Sequence, residues 1–531
     1  MNFFEAIFKH DPNSTAIVCE EGDITYGQLC ERTLSMARVL HSLDLEPGDR
    51  VALLLTDSPE FVDAFIAISS LGAIVVPINL ALPLSDQRAI VHNSRARFVL
   101  LDRDRCRIFL TGAPENMHFP RVLLDVSPEV EIAGEGGAEF WITEMPKGAT
   151  ATVIETLWWL KQETAGNALP RFENISPDQP SFILYTSGST GDPKGAVHQL
   201  SDMLYTNETY CREVLQLRPS DRLFSSSRLP FAYGLGNSFT FPLLNGVTSI
   251  LCRQKPTAEV IARVFREHRP TIFFGVPVVY NLLLEHHRQQ TLDCSGLRLC
   301  VSAGEALPAH LGEQWESTFG VKILDAIGST EMLHMFMSNH EDDMKYGSSG
   351  KLLNGYEARL LDAEGREVDE GVEGNLWIKG ESAAKGYWEK PTETARTFVD
   401  GWVRTGDLYR RDRDGYWFHM GRSDDCFKSS GQWVSPVEVE SVLLRHANVA
   451  RAAVVEDFDS DGLPCPCAFV VSEHVELDEG ALEIELKKHM GSMLPRFKQP
   501  RRYVFVNELP YTATGKVQRF KLRNQLRERR G

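Results

Sequence analysis

Residues 185–195 read Tyr185-Thr186-Ser187-Gly188-Ser189-Thr190-Gly191-Asp192-Pro193-Lys194-Gly195, after the strand-like residues 181–184. The stretch combines three kinds of group that suit phosphate oxygens. Hydroxyls come from Thr186, Ser187, Ser189 and Thr190, close backbone approach from Gly188, Gly191 and Gly195, and a cation from Lys194. The pattern predicts a loop that binds the phosphates of a nucleotide.

Two other interpretations of this loop are available. A Walker-type P-loop requires Gly, four residues and then Gly-Lys-Ser/Thr, whereas Lys194 follows Pro193 and precedes Gly195. The second interpretation is an ordinary turn rich in Gly and Ser. Four hydroxyls, three glycines and a Pro-Lys-Gly ending argue against it.

The loop resembles the signature of the adenylate-forming (AMP-binding) superfamily, which includes acyl-CoA and aryl-CoA ligases, peptide-synthetase adenylation domains and luciferases. Further motifs of that superfamily follow in the same order over nearly the whole chain. The resemblance implies an α/β fold. It has a large N-terminal domain of mostly parallel sheets with flanking helices, and a small mobile α+β C-terminal domain.

The pattern along the chain favours the same architecture. Strands are predicted at 51–55, 73–76, 97–100 and 271–274, alternating with amphipathic helices at 59–70 and 259–268. Residues 130–176, rich in Gly, Glu and Pro, predict a long surface connection without catalytic residues. A boundary near 421–425 divides the chain into an N-terminal domain, 1–422, and a C-terminal domain, 423–531. The latter is expected to contain helices at 436–444 and 479–493 and strands at 452–455 and 468–471.

Charge and composition exclude several classes of protein. The 531 residues carry a formal net charge of -17, which disfavours nucleic acid or an anionic membrane as a partner. No signal peptide or membrane span is predicted, because the apolar stretch 65–76 is short, so we expect a cytoplasmic protein. The ten cysteines are scattered, which predicts reduced thiols and no zinc site. The basic tail from Arg519 to Arg530 predicts a solvated terminal helix.

A second motif, residues 325–331, reads Asp325-Ala326-Ile327-Gly328-Ser329-Thr330-Glu331. A carboxylate after such a turn suits Mg²⁺, which takes most of its other ligands from phosphates and water. A helix N-cap with a first-turn acid is the alternative. By resemblance, Glu331 binds Mg²⁺ and joins Thr330 and Lys194 in the catalytic set, while Asp325, Ile327 and Gly328 belong to the ATP site. Ile327 stands where the superfamily usually has an aromatic residue beside adenine, and Ala303, Gly304 and Glu305 match the opposite adenine face.

Two further motifs complete the nucleotide site. Asp407 follows Thr405-Gly406 and is backed by Arg422. A carboxylate is suited to two vicinal hydroxyls, so the resemblance assigns Asp407 to ribose, with a plain turn residue as the alternative. Lys516, in the sequence Thr514-Gly515-Lys516, matches the lysine that bridges the acyl carboxylate and the α-phosphate.

The resemblance also implies two half-reactions. ATP and a carboxylate give an acyl-adenylate and pyrophosphate, and a thiol then displaces AMP. Between them the small domain rotates about Asp424, and Ser430, Gly431 and Trp433 form the thiol tunnel. An ordinary surface turn is the alternative for the hinge.

The acid is predicted to be aromatic. Residues 230–237 and 328–335 look most like those of benzoate and hydroxybenzoate-type aryl-CoA ligases. Ala232 and Gly328 leave a flat slot, Tyr233 forms an aromatic wall, and His334 with Met335 borders the ring. We place His334 on a helix start, one turn beyond Thr330. A histidine satisfied within its helix and a fatty acid tunnel stay open as alternatives.

The thiol acceptor is left as two alternatives. Aryl-CoA ligases usually carry lysines where this chain has Gly462-Leu463-Pro464-Cys465-Pro466-Cys467-Ala468. Losing cations there weakens the case for free CoA, which stays the first prediction, and raises the phosphopantetheine arm of a carrier protein as the alternative acceptor. A non-catalytic or luciferase-like protein is a third class. The sequence leaves the ring substituents, the pathway and the oligomeric state open, with a homodimer among the options.

Overall fold

The computed structural model of the protein describes residues 3–102, 105, 109, 121–125, 154–156, 161, 164–168, 170, 172, 176, 178–187, 193–430, 432–459, 462–473, 478–511 and 517–528. The chain begins with the helix Phe3–Phe8 and a hairpin of strands β1 (Thr15–Cys19) and β2 (Gly22–Thr25). No helix among the described residues is long and apolar enough to cross a membrane.

A seven-stranded sheet follows, in the order β7-β6-β5-β3-β4-β8-β9, and only its β8–β9 pair is antiparallel. Its strands are β3 (Arg50–Leu54), β4 (Ile74–Pro77), β5 (Phe98–Asp102), β6 (Arg121–Asp125), β7 (Ile154–Thr156), β8 (Pro180–Ser187) and β9 (Pro193–Gln199). The helices Tyr26–Ser42, Pro59–Ser70 and Leu84–Asn93 lie between these segments.

The helix Pro59–Ser70 illustrates how the local sequence decides these elements. The Ser58 side chain accepts a hydrogen bond from the Phe61 backbone, and Pro59 occupies the first turn, where its missing N–H costs nothing. Gly72 then turns the chain with φ +77° into β4. The predicted helix and strand are both confirmed here.

A nine-stranded sheet forms the other half of the large domain, in the order β16-β15-β14-β13-β12-β10-β11-β1-β2. Its further strands are β10 (Arg222–Ser225), β11 (Thr248–Ile250), β12 (Ile272–Gly275), β13 (Leu299–Ser302), β14 (Ile323–Gly328), β15 (Met335–Ser338) and β16 (Lys351–Leu352). Strands β1 and β10 to β14 pair in parallel. The carboxyl ends of β12, β13 and β14 therefore meet at one edge, where α/β sheets bind ligands.

The helices of this half are Leu200–Thr206, Ala232–Leu235, Phe241–Asn245, Ala258–His268, Pro277–Gln289 and Ala309–Phe319, with π-helical turns at Asn207–Leu215 and Gly236–Thr240. A five-stranded antiparallel sheet closes the domain. It contains β17 (Glu357–Leu361), β18 (Gly374–Lys379), β19 (Phe398–Val399), β20 (Trp402–Arg411) and β21 (Trp417–Arg422), with the helix Pro391–Thr397.

The small C-terminal domain is α+β. Its strands are the hairpin β22 (Phe427–Ser429) and β23 (Gln432–Val434) and the three-stranded sheet of β24 (Val449–Phe458), β25 (Pro464–Ser472) and β26 (Arg502–Phe505). Its helices are Pro436–Leu443, Glu479–Met493 and Arg519–Glu528, with a 3-10 turn at Arg496–Lys498. The two helices and two strands predicted here are present, and both strands are longer than predicted.

Two expectations need correction. The surface connection predicted at 130–176 contains strand β7, which pairs in parallel with β6, and the rest of that stretch lies mostly outside the described residues. A strand of only three residues is too short for an alternating pattern to be detected. The basic tail is a helix but is not solvated on all sides, because Leu522 and Leu526 are buried against the small sheet.

Candidate active site

The phosphate-loop motif lies at a hairpin between two strands of the seven-stranded sheet. Thr186, the residue before the last of strand β8, lies directly opposite Lys194 on the antiparallel strand β9. The hairpin thus brings a hydroxyl and a cation together across neighbouring strands. Gly188, Ser189, Thr190 and Gly191 lie outside the described residues, and only the backbone of Ser187 is described.

Gly195 is required by packing and not by loop flexibility. A Cβ atom there would lie 2.6 Å from Ile183 Cγ2 and 2.9 Å from the Tyr185 ring. These contacts are too short for any larger residue. The glycine lets β9 lie close against the side chains of β8.

The segment Ala384–Trp388, here called the tyrosine segment, joins β9 to the turn that carries Glu331. The Val197 N–H donates to the Gly386 carbonyl, and the Trp388 N–H donates to the Gly195 carbonyl. From the same segment, the Ala384 N–H donates to the Glu331 carbonyl at 2.8 Å. The predicted phosphate loop and the predicted magnesium residue are thereby fixed to one piece of backbone.

Tyr387 contacts both of these groups with its side chain. Its hydroxyl donates to Glu331 Oε1 at 2.6 Å, and Lys194 Nζ lies 5.6 Å from the centre of its ring. Burial, followed by the nearby Glu331 carboxylate, raises the pKa of Tyr387, so the phenol stays protonated and donates. Tyr387 belongs to none of the motifs recognised in the sequence, and it lies 56 residues from Glu331.

Glu331 lies in a 3-10 turn, Thr330–Met332, capped by the Ser329 side chain, which accepts from the Met332 N–H at 3.2 Å. Its second carboxylate oxygen, Oε2, accepts no hydrogen bond from the described part of the chain. Within that part, no cluster of three or more His, Cys, Asp or Glu side chains could hold a metal. A half-buried single carboxylate suits Mg²⁺, which relies on phosphates and water for its remaining ligands.

The predicted adenine-binding residues lie on neighbouring parallel strands. Ala303, Gly304 and Glu305 directly follow β13, and Gly304 turns the chain with φ +90°. Ile327 lies half-buried near the end of β14, the next strand of the sheet. The two segments therefore lie at one sheet edge, and their contact with the two faces of adenine stays a prediction.

Asp325, which the resemblance assigns to the ATP site, has a buried side chain. Its carboxyl Oδ2 accepts the Leu307 N–H at 3.2 Å, and the residue is 2% exposed. Burial raises the pKa of this carboxyl well above its ordinary value. The side chain is therefore turned toward the segment after Glu305, which it holds in place from inside the protein.

The predicted ribose residues lie opposite each other on β20 and β21. Arg422 Nη1 donates to Asp407 Oδ1 at 3.2 Å and to the Thr405 carbonyl at 2.9 Å. The neighbouring His419, which sequence analysis did not identify, places Nε2 3.4 Å from the same Asp407 oxygen. A Cβ at Gly406 would lie 2.6 Å from Arg422 Nη2, so glycine admits the guanidinium.

His334 is surrounded by aromatic side chains. The ring centres of Tyr210, Tyr233 and Phe241 lie 5.1, 5.9 and 4.7 Å from that of His334. Burial lowers the pKa of His334 to about 3, so the imidazole is neutral near pH 7. A Cβ at Gly236 would lie 2.3 Å from the imidazole, so glycine is needed there.

His334 does not begin a helix, contrary to the sequence prediction. Leu333 has φ 62°, which ends the short 3-10 turn and directs the chain into β15. The predicted pocket residues Ala232 and Met335 are buried, and Met335 pairs with Gly328 across β14 and β15. The Tyr233 hydroxyl donates to the carbonyls of Gly275 and Val301 at 3.3 and 3.2 Å.

The predicted hinge, Asp424, is exposed and precedes an ionic cluster that belongs to the small domain. Asp425 lies 3.0 Å from Arg523 and 3.6 Å from Arg519, and Arg519 also binds Glu440 at 2.7 Å. Ser430 has φ 52° at the tip of the β22–β23 hairpin. Gly431 and Lys516 lie outside the described residues, and only the backbone of Trp433 is described.

Comparison with known proteins gives one consistent match. The AMP-binding enzyme family matches residues 4–388, and the AMP-binding enzyme C-terminal domain matches residues 438–516. The chain is 40% identical to a benzoate–CoA ligase of Thauera aromatica, over 96% of this chain and 92% of that protein. It is 36% identical to a 4-hydroxybenzoate–CoA/benzoate–CoA ligase of Rhodopseudomonas palustris, over 96% and 90%.

Solved structures show the same fold. The anthranilate CoA ligase AuaEII in complex with anthranoyl-AMP superposes with a TM-score of 0.89 at 33% identity, covering 99% of this chain and 97% of that chain. A benzoate CoA ligase from Burkholderia xenovorans LB400 gives a TM-score of 0.85 at 36% identity, covering 98% and 100%. The two-domain architecture predicted from the sequence is confirmed.

Proposed function

The chain belongs to the AMP-binding enzyme family, and we propose that it activates an aromatic carboxylic acid with ATP and transfers the acyl group to the thiol of CoA. The observation that carries the choice of acid is the surroundings of His334. A neutral imidazole packed among three aromatic rings lies three residues beyond Glu331. A flat aryl group fits against these rings, and we expect its carboxylate to point toward the turn that carries Thr330 and Glu331.

Two balanced steps make up the reaction. In the first, a carboxylate oxygen of the acid attacks the α-phosphorus of ATP, and the bond to pyrophosphate breaks. In the second, the CoA sulfur attacks the acyl carbon, the bond to AMP breaks, and the thiol proton is lost to solvent. Both steps move negative charge, so positioned cations lower their barriers.

The main predicted residues are assigned the following roles in the first step. Lys194 and the hydroxyls of Thr186 and its loop bind the β- and γ-phosphates, and Asp407 binds the ribose hydroxyls. Glu331, held by Tyr387, is the protein ligand for Mg²⁺. Bound Mg²⁺ neutralises charge on the phosphate oxygens. Lys516 bridges the acid and the α-phosphate.

The second step requires the small domain to rotate about Asp424, between domains divided at residues 422 and 423. Rotation withdraws Lys516 and presents Ser430, Gly431 and Trp433 to the thiol. The hairpin β22–β23 is a suitable wall for the pantetheine arm, because it is short and its tip is exposed.

CoA is favoured over a carrier protein as the acceptor. Cys465 and Cys467, which stand where lysines were expected, are buried in β25. Two arginines lie beside them, since Arg502 pairs with Cys467 across β25 and β26 and Arg501 is its neighbour, but Arg501 is in an ion pair with Asp459 and Arg502 lies 3.6 Å from Asp457. Both arginine side chains are about half exposed. The two most similar relatives reported above are also CoA ligases.

Pyrophosphate release tests this function. We expect release with ATP and benzoate or a hydroxy- or aminobenzoate, strongly accelerated by CoA, and little release with a medium-chain fatty acid. Release that CoA leaves unchanged would favour a carrier protein. Turnover of the fatty acid alone would contradict the aryl pocket. A homodimer and a cytoplasmic location remain predictions, for light scattering and cell fractionation.

A further inference from the structure

His198 is a fully buried histidine that the proposed reaction does not use directly. It lies on β9, four residues after Lys194, and its ring stacks on Phe182 of β8 at 5.3 Å with an interplanar angle of 17°. Residues four apart on a strand face the same side of the sheet. His198 therefore lies on the side of β9 from which Lys194 extends.

Both imidazole nitrogens have a hydrogen-bond partner. Nε2 lies 2.7 Å from the Thr330 carbonyl oxygen, and Nδ1 lies 2.8 Å from Asp202 Oδ2. A carbonyl oxygen only accepts, so Nε2 must carry a proton. A second proton must lie between His198 Nδ1 and Asp202 Oδ2, so the two side chains together carry two protons.

Asp202 is anchored at the start of a helix. Oδ2 also accepts the Gln199 N–H at 3.1 Å, and Asp202 lies in the first turn of the helix Leu200–Thr206, where a negative charge is stabilised. The His198–Asp202 pair is fully buried, and each side chain is held by a second hydrogen bond. Such a pair is costly to break, because removing one partner leaves a buried polar group without its hydrogen bond.

The Thr330 carbonyl belongs to the turn that carries Glu331. His198 holds this carbonyl, and the Ala384 N–H holds the next one, that of Glu331. We infer that His198, oriented by Asp202, is a positioning residue that fixes the Thr330–Glu331 turn for metal and phosphate binding. This inference rests on the proposed function, since it assumes that Glu331 binds Mg²⁺.

Asp202→Asn tests the inference sharply. The atom next to Gln199 N–H must remain an acceptor, so the asparagine oxygen takes the place of Oδ2 and accepts from Nδ1–H. A neutral histidine protonated at Nδ1 has a lone pair at Nε2, which faces the Thr330 carbonyl and repels it. We expect kcat for pyrophosphate release to fall about tenfold and the Mg²⁺ requirement to rise.

His198→Gln and His198→Asn form a matched pair. The glutamine amide reaches the position of Nε2 and keeps the bond to Thr330, so we expect a loss of only about two- to threefold. The asparagine amide reaches the position of Nδ1 and keeps only the bond to Asp202, so we expect about a tenfold loss. The glutamine amide nitrogen is always a donor, whatever residue 202 is. His198→Gln introduced into Asp202→Asn should therefore restore activity.

Restored activity in the double variant would distinguish a positioning role from a purely structural role. A purely structural role predicts that the losses of the two single variants in kcat and in melting temperature add. Equal activity of wild type, Asp202→Asn and His198→Asn, or an additive double variant, would overturn the inference. ¹⁵N NMR of the wild type gives a check that needs no variant: Nε2 of His198 should carry the proton that it donates to the Thr330 carbonyl, and an unprotonated Nε2 would also overturn the inference. If the wild type activates no aryl acid, the proposed function fails while the NMR result still decides the state of the pair.

Discussion

Around His334 the neighbours are the rings of Tyr210, Tyr233 and Phe241, whereas around Asp425 they are the guanidinium groups of Arg519 and Arg523. The first environment is apolar and buried, and it keeps its histidine uncharged. The second is ionic and partly exposed to solvent.

The apolar surroundings of His334 and the ionic surroundings of Asp425 match the different roles expected of the two regions. Apolar packing allows one arrangement, because any displacement opens a void or creates an overlap. Partly exposed ion pairs contribute little and are replaced by water at small cost. We therefore expect the acid pocket to stay rigid through both half-reactions, and the ion pairs after Asp424, which all lie within the small domain, to turn with that domain and to adjust at small cost.

The largest effect is expected for Lys516, in the small domain that is expected to rotate. Lys516→Ala should lower pyrophosphate release by about a hundred- to a thousandfold, because the cation stabilises charge only in the first transition state. With synthetic benzoyl-adenylate and CoA, the same variant should form thioester within about threefold of wild type. Lys521→Ala, an exposed change on the following helix, is the control. Equal losses in both half-reactions would contradict rotation of Lys516 away from the site.

A smaller effect is expected at Glu331, in the large domain close to the acid pocket. Glu331→Gln should lower kcat about ten- to a hundredfold and raise the Mg²⁺ concentration needed for half-maximal rate, since a neutral amide binds the ion weakly. Tyr387→Phe is the matched variant, because it removes only the hydroxyl bonded to Glu331 and keeps the ring beside Lys194. It should lose about threefold. An unchanged Mg²⁺ dependence in Glu331→Gln would remove that residue from the metal site.

Acid should affect the pocket through His334. Its pKa is about 3 in the folded protein and near 6.5 in the unfolded chain, so only the unfolded state takes up the proton as the pH falls. The free energy of unfolding should therefore decrease from about pH 6.5 down to about pH 3, by up to about 1.4 kcal/mol per pH unit. His334→Phe removes this contribution. Urea titrations should show wild type losing stability relative to the variant toward acid, and a difference that is constant with pH would show that His334 is not held neutral.

The smallest effect is expected at the ion pairs. Arg523→Gln breaks a contact of 3.0 Å to Asp425 and should lower the free energy of unfolding by about 0.5 kcal/mol, less in high salt. Arg527→Gln is the control, because Arg527 is on the same helix and forms no ion pair within the described residues. A loss of several kcal/mol that salt leaves unchanged would make this region as rigid as the pocket.

Much of the architecture was predictable because it depends on local chemistry. Glycines and hydroxyls before Lys194 predict a phosphate loop, and the structure places Thr186 and Lys194 opposite each other on a hairpin. Apolar runs bounded by caps predict strands and helices such as β4 and Pro59–Ser70. The helix expected at His334 is wrong because the positive φ of Leu333 is not visible in the residue types.

By itself the sequence determined the order of the motifs, the division into two domains and the family, since each is carried by residues close together in the chain. Only the tertiary structure decided which side chains hold those motifs. Tyr387 reaches Glu331 across 56 residues, and His198 reaches the Thr330 carbonyl across 132. These contacts depend on which strands and segments become neighbours, and that arrangement is set by packing of the whole domain rather than by any local pattern.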